Sequence, residues 1–195
     1  MSKVSRRLHL LGAHFTLTIL FCMTASLAQA KLPDLFGDAP IVEAVREGSV
    51  EKTNAALLDE ASVHTRSSDG TPLIVLAVAA RSLAVVKLLI DNGARPDDKS
   101  KKDETTALTL AAANGDVEIV IYLLDHKADI NEPGALRETA IIKAVRLQRI
   151  EIVKLLVDRG ADLDETDAGG ATAVEIAERN GSSAIVSLLK KAKPK

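Results

Sequence analysis

The chain has one cysteine, Cys22, no tryptophan, two methionines and one tyrosine in 195 residues. A single cysteine cannot close a disulfide within the chain. Its histidines are equally few: His9, His14, His64 and His126. A structural zinc site normally needs four nitrogen or sulfur ligands brought together. His64 and His126 fall in different segments with no cysteine to join them, so no metal and no cofactor is expected. No serine stands in a Gly-x-Ser-x-Gly setting and no phosphate-loop pattern occurs. No catalytic residue is therefore assigned, and an enzyme is not expected. A basic excess is missing too. The formal net charge of −2 argues against a general nucleic-acid binder.

The first thirty residues follow their own rule. Lys3, Arg6 and Arg7 make a basic start, and no acidic residue precedes Asp34. An apolar run follows from Leu8 to about Ala25, and Ala28-Gln29-Ala30 offers the small-x-small pattern of a signal-peptidase site. An uncleaved anchor would need about twenty apolar residues, whereas this run is shorter and is interrupted by His14 and Thr16. The pattern predicts a signal peptide over 1–30, cleaved after Ala30, and a periplasmic or, alternatively, secreted protein. Ser5-Arg6-Arg7 loosely matches a twin-arginine signal, but His9 stands where that signal favours an aromatic. Phe21 before Cys22 argues against a lipoprotein site. Removing Lys3, Arg6 and Arg7 leaves 22 basic against 27 acidic residues, a net charge of −5. It also removes Cys22, Met1 and Met23. The remaining chain has no readily oxidised sulfur, which suits an oxidising compartment.

What the chain has in plenty is a period. Ala44, Ala77, Ala111, Ala144 and Ala177 follow one another at 33, 34, 33 and 33 residues. A Thr or its substitute comes five residues earlier. An aliphatic pair such as Ile119-Val120 or Ile152-Val153 comes eight and nine residues later. A fixed period of this length marks a repeat array. In the third copy Thr106 is the expected cap of a helix running to Ala113, because its hydroxyl can accept from the open amides of the first turn. Asn114-Gly115-Asp116 stops that helix. A second helix is expected from Val117 to Asp125, apolar at 119, 120, 123 and 124. The fourth copy repeats the grammar from Thr139 to Arg146 and from Ile150 to Asp158. The alanines permit close approach of neighbouring helices, so a leucine at Ala111 or Ala144 should overpack the stack.

These copies resemble the ankyrin repeat family, whose pattern opens Thr-Pro-Leu-His and closes near Gly-Ala-Asp-x-Asn. The matching stretches are Asp69-Gly70-Thr71-Pro72-Leu73, Gly93-Ala94, Ala128-Asp129-Ile130-Asn131 and Gly160-Ala161-Asp162-Leu163-Asp164. The resemblance covers about residues 39–191. It implies an all-α solenoid of about five helix-turn-helix repeats (39–71, 72–105, 106–138, 139–171, 172–191) with hairpin loops. A lead-in at 31–38 precedes them and a basic tail at 192–195 follows. Copies one and five read as caps. Asp38 and Pro40 look like a helix cap and first-turn proline, and Glu175, Glu178, Ser183 and Ser187 lie where a terminal face meets water. The family histidine is replaced by Ile74 or Val75, Thr109, Ile142 and Glu175, so its helix-start hydrogen-bond network is expected to be missing. Thr71-Pro72-Leu73 sits one residue out of step with Ala77. One extra residue falls near Lys99–Lys102.

The resemblance also implies a function. Such proteins bind other proteins through hairpin tips and the concave face of their first helices. The matching row is Arg46-Glu47, Ala79-Ala80, Ala113-Asn114, Arg146-Leu147 and Arg179-Asn180. Arg46, Glu47, Asn114, Arg146, Leu147, Arg179 and Asn180 are the candidate partner-binding residues, with Lys101 and Lys102 added from a hairpin tip. Arginine suits bidentate contacts to carboxylates and is enriched at interface hot spots. Tyr122, on a second helix, reads as packing rather than recognition. The acidic run Asp162–Gly169 begins as a calcium loop might, but Asp167 stands where that loop needs glycine and Ala173 where it needs glutamate. Asn180-Gly181-Ser182 reads as an inter-helix turn. The expected role is a monomeric, non-catalytic protein-binding module, an accessory or protective partner of a periplasmic protein. The alternative is an immunity protein that inhibits a toxic enzyme. Neither nucleic acid nor, after cleavage, a membrane is an expected partner.

Overall fold

Helix starts recur with the period of the alanines. In the computed structural model, which describes residues 38–192, ten α-helices form five pairs. They are α1 (Pro40–Arg46) with α2 (Val50–Leu58), α3 (Leu73–Ala79) with α4 (Leu83–Asp91), and α5 (Ala107–Asn114) with α6 (Val117–Asp125). The series continues with α7 (Ala140–Arg146) and α8 (Ile150–Asp158), then α9 (Ala173–Arg179) and α10 (Ser183–Ala192). The signal-peptide reading, the lead-in up to residue 37 and the tail beyond 192 lie outside the described residues.

Each pair packs internally, and inner helices α1, α3, α5, α7 and α9 stack on one another, as do the outer helices. Ala77, Ala111, Ala144 and Ala177 are wholly buried on the inner helices. Their small side chains let successive inner helices come close. Ala111→Leu should therefore cost about 1–3 kcal/mol by overpacking, read as a drop in the midpoint of denaturant unfolding. An unchanged midpoint would mean the stack has room there.

The outer helices supply a ladder of larger groups. Val86, Val120 and Val153, and Leu89, Leu123, Leu156 and Leu189, are each fully buried. In copy one the equivalent places hold Thr53 and Ala56, and Thr53 satisfies its hydroxyl by donating to the Ser49 carbonyl at 2.7 Å. At the other end Glu175, Glu178, Ser183 and Ser187 are exposed as a cap requires.

Where the helices begin, the sequence-based expectations are partly overturned. The missing histidine network is rebuilt in two copies. Thr106 and Thr109 form a reciprocal capping box, and so do Thr172 and Glu175. In copy four Ile142 cannot reciprocate; Thr139 starts α7 without capping it, and its buried hydroxyl has no partner among the described residues. In copy two the helix keeps step with Ala77. Pro72 takes the place of the capping threonine, which makes Val75 rather than Ile74 the substitute for histidine. Asp38 is not the cap of α1. Ala39 holds that position, while the Asp38 carboxylate accepts from the Ser68 amide and pairs with Arg46 at 2.5 Å.

The inter-helix turns need one left-handed residue each. Gly115 supplies it without strain at φ 80°, whereas Gln148 accepts the same conformation at φ 56°. The extra residue of copy two lies in its hairpin. There Ser100 and Thr105 close a loop one residue longer than Ser67–Thr71, Gly134–Glu138 or Asp167–Ala171.

Candidate functional site

At or one residue before their ends the inner helices carry a row of register-equivalent residues: Arg46, Ala79, Ala113, Arg146 and Arg179. One turn earlier the same face carries Glu43, Leu76, Leu110 and Lys143, while Ile176, next in register, is buried in the core. Its middle is apolar and its ends are charged.

The most developed part of this face lies on copy four. Glu138 sits at the foot of the hairpin that precedes α7, and its side chain is only 4% exposed. Lys143 donates to Oε2 at 2.5 Å and the Arg146 Nε to Oε1 at 2.5 Å. Arg146 then reaches across to the next hairpin and donates to Asp167 Oδ2 at 2.6 Å. The other Asp167 oxygen accepts the amides of Gly169 and Ala171, each at 2.9 Å. The Ala171 amide bond is the main reason the Asp167 carboxyl titrates below its usual value, with Arg146 adding to it. Copy one carries a smaller version, Arg46 with Asp38 and Glu43. The sequence held a signal for both: an acid eight residues before an arginine, Asp38 to Arg46 and Glu138 to Arg146.

A groove of about 500 Å³ opens over this network, lined by Leu136, Glu138, Lys143, Arg146, Asp167, Ala168 and Gly169. Leu136 stands at its rim, 71% exposed, with φ 57° and ψ 27°. Arg137 follows at φ 57°. Two successive left-handed residues that are not glycine cost about 1–2 kcal/mol each. The turn is nonetheless pinned, because the Leu136 carbonyl accepts from the Ala168 amide at 2.8 Å and Gly134 donates to the Glu138 carbonyl at 3.0 Å.

The predicted site residues divide by what they touch. Arg146 is central to the groove. Leu147 is 45% exposed at the end of α7, and Arg179 is exposed on α9. Glu47 pairs locally with Lys52 at 2.5 Å. Asn114 and Asn180 turn inward: each donates a long bond of 3.5 Å to a carbonyl of the preceding inner helix, at Val78 and at Val145. They tie repeats together. Lys101 and Lys102 are exposed at the second hairpin tip, but the Lys101 amide donates to the Gly70 carbonyl at 3.3 Å and its side chain lies against Gly70. Lys102 lies in the field of Asp69 and Asp103. Glu138, Lys143, Leu136 and Asp167 were missed by sequence reasoning.

This row on stacked helix pairs, and its hairpins, agree with a sequence comparison. The family model described as Ankyrin repeats (3 copies) matches residues 41–134, 76–167 and 132–195. The chain belongs to the ankyrin repeat family. No curated protein matches it. The family is one of protein-interaction modules that are generally not catalytic. Among the described residues no helix is long and apolar enough to cross a membrane.

Remaining candidates resolve as parts of the repeat. Asp162 Oδ1 accepts the Asp164 amide at 2.8 Å, and the Asn131 side chain accepts the Asp162 amide at 2.9 Å, so the acidic run builds hairpin bases. Tyr122 stacks on His126 with centroids 3.9 Å apart and donates to Asp91 at 3.2 Å. That cluster is on the outer helices, away from the row.

Ordinary carboxylates in the hairpins give the stack an acid limit. Asp69 is held down to about 2 by the Ser67 and Thr71 side chains and the Thr71 amide. Asp38 and Asp167 are lowered by backbone amides of Ser68 and Ala171. A depressed folded pKa stabilises above the unfolded value of 3.8, and that contribution is lost as pH falls through the folded value. Melting temperature should be flat above about pH 5 and fall between about pH 4 and 2. Asp69→Asn should make the fall shallower. Thermal melts across this range test it, and a level profile down to pH 2 would contradict it.

Proposed function

We propose that this protein is exported and that its inner face holds another protein of the same compartment, as an accessory or protective partner without catalysis of its own. One observation carries the reading. Five successive inner helices present equivalent side chains on one face, with half-buried Leu76 and Leu110 at its middle and Arg46, Arg146 and Arg179 toward its ends. An apolar centre within a polar rim is how protein interfaces are built. The basic start, apolar run and Ala28-Gln29-Ala30 of the leader support export, and the absence of cysteine and methionine after Ala30 suits an oxidising compartment. The protein acts as a monomer in this reading.

The test uses the exported chain as bait in periplasmic extract, followed by reconstitution with the retained protein. A one-to-one complex is expected, weakened by Ala79→Arg, which puts a bulky charge on an exposed position of the row. Peroxide sensitivity on deletion would support the protective role. Protection from a toxin encoded alongside would favour immunity instead. A turnover by the isolated chain, or its retention in the cytoplasm, would overturn the proposal.

A further inference from the structure

We propose that the groove over Glu138 and Arg146 receives an extended acidic segment of the partner protein, with a small aliphatic side chain seated beside its carboxylates. This rests on the inner face being the docking surface and names the chemistry of what docks.

The charge pattern comes first. The acids of the network lie beneath its bases: Glu138 and Asp167 side chains are 4% and 12% exposed, whereas Lys143 and Arg146 are 31% and 43% exposed. Water therefore meets ammonium and guanidinium, not carboxylate. Arg137 at the hairpin tip and Arg179 on the next inner helix have no ion pair among the described residues, and both are exposed. Within the groove the side chains that meet water are thus the basic ones, Lys143 and Arg146, complementary to carboxylates.

Shape selects the rest. A second depression of about 80 Å³, walled by Leu110, Ala113 and Ala135, adjoins the larger groove through Glu138 and Lys143, which line both. Residues i and i+2 of an extended chain stand roughly 7 Å apart on one face. Such a segment can place a small aliphatic group in the minor depression and a carboxylate over Lys143 and Arg146. Leu136 adds an apolar contact at the rim. Its exposure in a strained turn, held by Ala168, has no role in the packing of the repeats, and a pre-set anchor loses little freedom on binding.

A random linear peptide library displayed to the full chain tests this directly. Peptides combining Asp or Glu with Val, Ile or Ala are expected to be enriched, and changing their acids to Gln or Asn should weaken them about tenfold. Leu136→Ser should weaken the same peptides about tenfold, as should Arg137→Glu combined with Arg179→Glu. These three residues are exposed, so the variants keep the fold, verified by unchanged melting. Enrichment of basic or uncharged peptides would overturn the proposal. So would acidic peptides indifferent to Leu136→Ser, or equal retention on heparin, which would mark general polyanion binding. If a captured partner is lost with Ala79→Arg but unaffected by these variants, the docking face stands and its acidic ligand falls.

Discussion

Leu123→Ala is expected to destabilise the protein by about 2–5 kcal/mol, the cost of a cavity in a well-packed core. Leu123 is fully buried at the centre of the outer-helix ladder, with Leu89 before it and Leu156 after it. In a repeat array each copy is held by its own core and by its two neighbours. A cavity in the third copy therefore weakens two interfaces, and the terminal pairs should begin to unfold apart from the centre. Denaturant titration by circular dichroism reads the loss. Leu58→Ala is the control, since Leu58 is 78% exposed and should stay within about 0.5 kcal/mol. A loss below about 1 kcal/mol at Leu123 would contradict a single continuous core.

Arg146→Met is expected to cost about 2–3 kcal/mol, and more than Glu138→Gln, which should cost about 1 kcal/mol. The asymmetry follows from burial. Removing the arginine strands a carboxylate that is 4% exposed and leaves it Lys143 alone. Removing the acid strands two cations that already reach water. The cost stays below the 3–5 kcal/mol of a fully buried pair because Arg146 itself is half exposed. The double variant should lose less than the two singles together, since both act on one interaction. Midpoints of urea unfolding decide the order, and Glu138→Gln proving the more damaging would refute the reading of this network. Arg146→Glu would set a third carboxylate beside Glu138 and Asp167, so it is a poor probe of docking alone.

The network also shows how far the row could be read in advance. Position along the chain located Arg146 on the inner face, because a period of about 33 residues maps one copy onto the next. It did not show that Arg146 is half committed to Glu138 and Asp167. Those partners lie 8 and 21 residues away, on two different hairpins; the eight-residue spacing to Glu138 recurs between Asp38 and Arg46, but nothing local points to Asp167. Asn114 and Asn180 are the converse case. They sit in the row by register, yet their amides turn back onto the preceding helix. Register places Lys101 and Lys102 at a hairpin tip, but only the stack shows that one packs on Gly70 and the other lies in the field of Asp69 from the preceding hairpin. At the helix starts the lost histidine suggested a lost network. Thr109 and Glu175 restore it because an acceptor side chain three residues after the cap can reach back to the cap amide.

The sequence by itself determined the repeat, its five copies, the helix limits of the third and fourth copies within a residue and the register that relates Arg46, Arg146 and Arg179. Those depend on period, turn chemistry and apolar spacing, which are local and recur. Only the tertiary structure decided which charges are buried and which meet water, that Leu136 is held outward in a strained turn, and that two hairpins and a helix close over one groove. Those are properties of neighbours brought together by stacking, and stacking sets burial and distance, which no single repeat contains.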